Sequence, residues 1–114
     1  MSDCLFCKIA AKEGPSTIAY EDDNILAFHD IYPLAPVHIL VIPKKHIDSL
    51  HHLQGEDQWL FGALLNTVKD LAVSFGIAES GYRVVTNIGS DGAQAVKHLH
   101  FHLMGGKALG SKLG

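Results

Sequence analysis

The longest regular pattern along the chain lies between residues 55 and 75. Leu60, Leu64, Val68, Leu71 and Phe75 recur at helical spacing, and Trp59, Phe61, Leu65 and Ala72 widen the apolar stripe. The pattern predicts one long amphipathic helix with Gly76 at its C′ position, where a left-handed residue is wanted. Residues 4–12, CLFCKIAAK, read as a short helix. Asp3 is its expected cap, Leu5, Phe6 and Ile9 mark its apolar side, and Gly14-Pro15 stops it. Residues 17–21 and 25–29 flank the turn signal Asp22-Asp23-Asn24 and predict a hairpin. A loop punctuated by Pro33 and Pro36 leads to a strand over 37–42. Residues 82–87 and 96–104 predict two further strands, on either side of the Gly89-Ser90-Asp91-Gly92 loop. Five strands and two helices, with strands mostly following strands, predict an α+β fold. Its sheet is mainly antiparallel, and the long helix crosses one face.

The last strand carries the chemistry. His98-Leu99-His100-Phe101-His102-Leu103 alternates strictly, so a strand puts three imidazoles on one face, about 6.6 Å apart, and three large apolar groups on the other. Leu99, Phe101 and Leu103 are expected under the long helix, with the histidines lining an open face. A half-exposed strand explains one histidine better than three in alternation. His-x-His is also a familiar metal-ligand pair, with His38 as a further ligand. A third reading is nucleophilic. A neutral imidazole can attack phosphorus and then leave, while neighbouring imidazoles donate hydrogen bonds to phosphoryl oxygens. The Gly89-Ser90-Asp91-Gly92 turn favours this reading, since such a turn can leave backbone N–H groups unpaired to cradle an anion. Asn87 adds a side-chain donor.

Composition narrows the class. The chain has 114 residues, 47% apolar and 18% charged, which suits a single globular domain over residues 1–114. A net charge of -3 gives no reason to expect nucleic acid or an anionic membrane as partner. No window approaches the ~18 apolar residues of a membrane span. No basic segment followed by an apolar run opens the chain, so a cytoplasmic location is expected. His51 and His52 read as surface residues, and Lys44 and Lys45 as a solvated strand end.

These residues resemble the histidine-triad (HIT) superfamily. His98-Leu99-His100-Phe101-His102-Leu103-Met104 is similar to its motif of three histidines separated by apolar residues. Tyr20-Glu21-Asp22-Asp23, Ala27-Phe28-His29-Asp30-Ile31, Ala35-Pro36-Val37-His38, Val41-Ile42-Pro43-Lys44-Lys45-His46, Gly81-Tyr82-Arg83 and Gly89-Ser90-Asp91-Gly92-Ala93-Gln94 resemble further family blocks, so the likeness covers almost the whole chain. Gly105-Gly106 resembles the Hint branch, the histidine-triad nucleotide-binding proteins, rather than the Fhit branch that cleaves dinucleoside polyphosphates.

The resemblance implies a homodimer with one continuous sheet, and hydrolysis of purine nucleoside 5′-phosphoramidates and related nucleotidyl conjugates. It implies His100 as the nucleophile that forms a nucleotidyl-imidazole, His102 as the contact to phosphate oxygens, and His98 and His38 as supporting catalytic histidines. Asp30 is implied for the ribose hydroxyls, which suits a carboxylate that accepts two hydrogen bonds. Leu5, Phe6, Ile9, Phe28, His29 and Ile31 are implied as the base pocket, and Asn87, Gly92, Ala93 and Gln94 as phosphate contacts. Many Hint proteins have Gly-Gln-Ser-Val where this chain has Ala93-Gln94-Ala95-Val96. The missing hydroxyl at Ala95 leads us to expect activity with an altered leaving-group preference. The alternatives are hydrolysis of dinucleoside polyphosphates or adenylyl sulfate, and a nucleotide-binding regulatory protein with incidental activity.

Cys4 and Cys7 form a C-x-x-C pair. With His46 and His98 they make a Cys2His2 set, the ligand composition of a closed structural zinc site. The resemblance supports this, because bacterial relatives commonly carry the pair. Two ordinary thiols at a helix start are the alternative. A thioredoxin-like role wants a strand before the pair, and only three residues precede it. No cofactor is required for the chemistry itself.

Overall fold

A computed structural model describes residues 4–113. Among them, five strands form one antiparallel sheet in the order β1-β2-β3-β5-β4. The elements are α1 (Leu5–Ala10), β1 (Ile18–Glu21), β2 (Ile25–His29), β3 (Val37–Pro43), α2 (Gln58–Ser74), β4 (Tyr82–Val85) and β5 (Phe101–Gly105), with 3-10 turns at Leu50–His52 and Gly55–Asp57. The expected α+β class, hairpin and crossing helix are all present.

The two sheet faces have different covers. Ile25, Ala27, Ile39, Val41, Leu99, Phe101 and Leu103 pack beneath Leu60, Leu64, Val68 and Leu71 of α2. On the other face, Leu26, Phe28, Leu40 and Ile42 pack against Phe6 and Ile9 of α1. Central strands buried on both faces read as continuous apolar runs, as ILAF and ILVI do here. One expectation fails at this point. The imidazole face is not open, because α1 lies over it. Phe6 stands edge-on to His98 and His100, with ring centroids 6.0 and 5.0 Å away.

The strand boundaries also shift. The ladder of the histidine segment begins only at Phe101, so His98 and His100 precede regular pairing. There Leu99 N–H donates to the Ile47 carbonyl at 2.6 Å instead. β4 ends at Val85 rather than at 87, and the Thr86 hydroxyl donates to the His100 carbonyl. Trp59 and Leu65, expected in the buried stripe of α2, are exposed.

The helix ends follow capping rules. Asp3 lies outside the described residues, and Cys4 is the N-cap of α1, its Sγ accepting from Cys7 N–H. The 3-10 turn Gly55–Asp57 that leads into α2 starts with a capping box between Gln54 and Asp57. α2 leaves through Gly76 at φ 74°, with Ile77 N–H donating to the Ala72 carbonyl and Gly76 N–H to that of Val73. Lys44 and Lys45 are not merely solvated. Lys44 lies 2.7 Å from Glu21, and Lys45 2.8 Å from the buried Asp57 carboxylate. His51 and His52 are exposed, as expected.

Candidate active site

A cavity of about 570 Å³ opens between α1, the end of β2 and the histidine segment. Phe6, Ile9, Phe28 and Leu40 make its apolar depth, while Leu5 and Ile31 stand at its exposed edge. His29, Asp30, Asn87, Ala93, Ala95, His100 and His102 line the remainder. Most of the residues expected at a nucleotide site therefore meet in one place. His38 and His98 lie behind the lining, and Gly92 and Gln94 are also outside it.

Hydrogen bonds assign a tautomer to each histidine. His100 Nδ1 lies 2.7 Å from the His98 carbonyl, an acceptor only, so Nδ1 carries the proton and Nε2 keeps its lone pair. His38 Nδ1 accepts from Leu34 N–H at 3.0 Å, so its proton sits on Nε2. That Nε2–H faces His102 Nδ1 at 3.0 Å and a carboxylate oxygen of Asp30 at 3.4 Å. His102 consequently carries its own proton on Nε2. Burial pushes the pKa of His100 down, and pushes that of His102 down to about 4, with His100 and His38 as further causes for the latter. Both are neutral at physiological pH: one offers a lone pair and the other an N–H.

The glycine-rich loop departs from expectation. Its N–H groups at Gly89, Ala93 and Gln94 are not free to donate to a ligand, because the loop uses them. Ala93 N–H donates to Ser90, Gln94 N–H to Gly89, and Gly89 N–H to the Gln94 side chain. The Gln94 amide also donates to the Asp48 and Val96 carbonyls. Asn87 Nδ2 donates to the Gly92 carbonyl at 2.7 Å. These side chains shape the loop. Gly92 is required there, since a Cβ would collide with the Ile88 carbonyl oxygen. Asp30 is likewise engaged, one oxygen accepting from Tyr32 N–H at 2.8 Å.

Five lining residues were not anticipated: Pro15, Ser16, Tyr32, Leu40 and Val96. Leu40 was findable only through strand pairing, which sets it opposite His102. Pro15 read as part of the Gly14-Pro15 helix stop and Ser16 carried no reading, so neither signalled a cavity wall.

The second constellation lies at the other end of the histidine segment. Cys4 Sγ is 3.2 Å from His98 Nδ1, and Cys7 Sγ is 3.4 Å from it and 3.2 Å from His46 Nδ1. His98 Nε2 lies 2.8 Å from the Pro43 carbonyl, and His46 Nε2 2.7 Å from Asp48. Both protons therefore sit on Nε2, and both Nδ1 lone pairs point toward the sulfurs. Ligating histidines are held this way by their outer partners. Cys4, Cys7, His46 and His98 are close enough to hold a metal.

The antiparallel sheet and the histidine triad, with His98 and His100 buried and His102 partly so, define a HIT-fold nucleotide hydrolase, and the comparisons agree. The chain belongs to the HIT family; the family model described as "Scavenger mRNA decapping enzyme C-term binding" matches residues 3–114. It is 53% identical over 107 residues to a HIT-like protein of Synechococcus elongatus, covering 94% of this chain and 93% of that one. It is 41% identical over 111 residues to the purine nucleoside phosphoramidase of Escherichia coli K12, covering 97% and 93%. Among solved structures, a HIT family hydrolase from Clostridium thermocellum superposes with a TM-score of 0.95 at 43% identity, covering 99% of this chain and 98% of that one. No helix among the described residues is long and apolar enough to cross a membrane.

Proposed function

We propose that the protein hydrolyses purine nucleoside 5′-phosphoramidates through a covalent nucleotidyl-histidine. The reading rests on one observation: His100 holds its Nδ1 proton on a carbonyl and keeps an Nε2 lone pair at a cavity whose depth suits a stacked purine. His100 Nε2 attacks the α-phosphorus, the P–N bond breaks, and the amine leaves with a proton from water, since neutral His102 has only its Nε2 proton and keeps it. Water then attacks phosphorus, the P–His100 bond breaks, and the nucleoside monophosphate is released. His102 Nε2–H donates to a phosphoryl oxygen as charge builds there. His98 is a poor acid for either step, since Nε2–H is held by Pro43 and Nδ1 faces the thiol pair. Asp30 takes the ribose hydroxyls.

Zinc is the metal we propose for the cysteine–histidine set, because two thiolates and two imidazoles are its usual closed shell. When bound it supplies structure and no chemistry. The edge strand β4, with Tyr82 and Val84 half-exposed, is the surface we propose for a homodimer with a continued sheet. A dimer mass by light scattering at micromolar concentration checks this. A cytoplasmic location fits the set.

The experiment is turnover of adenosine 5′-phosphoramidate against diadenosine polyphosphate and adenylyl sulfate. The first is expected to be preferred. His100→Ala is expected to lose at least about 10³-fold in turnover while still binding AMP. Activity within a few-fold of the parent sinks the covalent mechanism. Preference for the polyphosphate selects that alternative.

A further inference from the structure

A second, more open cleft of about 490 Å³ adjoins the nucleotide cavity, and the two share Leu5, Ala95 and Val96. Ala95 adds only a methyl group to the ridge between them, beside Leu5 and Val96. Beyond it the cleft is bounded by Lys97, Asp48 and two of the candidate zinc ligands, Cys4 and His46. The Asp48 carboxylate is turned toward His46 Nε2–H. Lys97 is exposed, and among the described residues it forms no ion pair.

Cleavage at the α-phosphorus divides the substrate in two. The nucleotide half has its cavity, with Ala93, Ala95 and the two histidines at the phosphate end. The other half must extend outside that cavity from the same end. The cleft begins there, at Ala95, and carries a cation without a fixed counter-charge. Resting on the phosphoramidate reading above, we propose that this cleft receives the leaving group, and that Lys97 favours amines bearing a carboxylate, the chemistry of an amino acid joined through its α-nitrogen. A small residue at position 95 keeps the passage open for groups bulkier than ammonia.

The test compares two adenosine 5′-phosphoramidates, one of alanine with its carboxylate free and one of alaninamide. The quantity read is the ratio of their kcat/KM values within each enzyme. The parent is expected to favour the carboxylate by about threefold, the size of an exposed ion pair. Lys97→Met is expected to bring the ratio to about one, and Lys97→Glu to invert it. Raising the salt concentration is expected to shrink the parent's preference. A ratio that neither variant moves overturns the assignment of the cleft. Absence of hydrolysis of both compounds by the parent, with AMP still bound, instead overturns the phosphoramidate reading, and the cleft's role with it.

Discussion

The two ends of the histidine segment contain the same side chain in opposite states. At one end His98 keeps both ring nitrogens away from the cavity. Its Nε2–H is fixed on the Pro43 carbonyl, and its Nδ1 lone pair faces Cys4 and Cys7. At the other end His102 Nδ1 accepts a hydrogen bond from His38 Nε2–H, which leaves its own proton on Nε2 in a ring that lines the cavity. A second group of potential metal ligands, Asp30, His38 and His102, is as closely spaced as the first. Distance alone does not separate the two groups, but tautomers do. Leu34 N–H donates to His38 Nδ1, so His38 Nε2 must carry a proton and cannot bind a metal while that bond lasts. A hydrogen bond on the far side of each ring thus decides whether it offers a lone pair or a proton.

Metal content tests this contrast most severely. Protein purified without chelator is expected to hold about one zinc per chain. A Cys4→Ser, Cys7→Ser double variant is expected to hold less than about a tenth of that and to melt about 5 °C lower or more, since the metal ties α1 to the triad. His38→Ala is expected to keep its metal. Zinc-free parent protein, with the double variant equally stable, leaves the cysteines as plain thiols. Retention of metal by the double variant moves the site to the Asp30 group.

The other end is probed by the sugar. Asp30 has one oxygen committed to Tyr32 N–H and the other near His38, so its remaining acceptor capacity for the proposed ribose contact is limited. A 2′-deoxy substrate is expected to lose about 1–3 kcal/mol in kcat/KM. Equal efficiency removes Asp30 from the ribose site.

Acid acts more mildly, and its sign follows from burial. Desolvation lowers the pKa of His38, and that of His102 to about 4, both from a usual value of 6.5. On acidification the unfolded chain takes up these protons first. The stability is therefore fully present above about pH 6.5 and is lost as pH falls toward 4. The melting temperature is expected to drop by several degrees between about pH 7.5 and about pH 5, with His98 and His100, whose pKa values burial also lowers, acting in the same direction. A flat profile shows that these rings are solvated.

The smallest effect lies in the loop between the ends. Ala93 sits at φ 60°, where a Cβ is strained. Ala93→Gly is expected to stabilise by about 0.5–1 kcal/mol, read by denaturant titration. Destabilisation means that the methyl group contributes packing at the cavity wall.

Much of this was legible in the chain. Periodicity located α2, and the runs at 25–29 and 37–42 were read as strands, though not as strands buried on both faces. The alternation from 98 to 103 separated Leu99, Phe101 and Leu103 from the histidines. Motif resemblance gathered Asp30, Asn87 and His100 at one site. The failures were of a different kind. Periodicity reports which side of an element is apolar and not what covers it, so α1 over the imidazoles was invisible. The loop's use of its own N–H groups was hidden because the Gln94 side chain closes it.

His98, His100 and His102 repeat the same local pattern, and local chemistry makes them equivalent. Their division into a ring whose lone pair faces the thiols, a ring with an Nε2 lone pair at the cavity and a ring with an Nε2–H needs partners brought from far along the chain: Pro43, 55 residues from His98, and His38, 64 residues from His102. The sequence determined that the three imidazoles would face away from Leu99, Phe101 and Leu103, because alternation is a property of extended backbone. Only the tertiary structure decided what each does, because the proton on a ring is placed by whichever donor or acceptor folding sets against its other nitrogen.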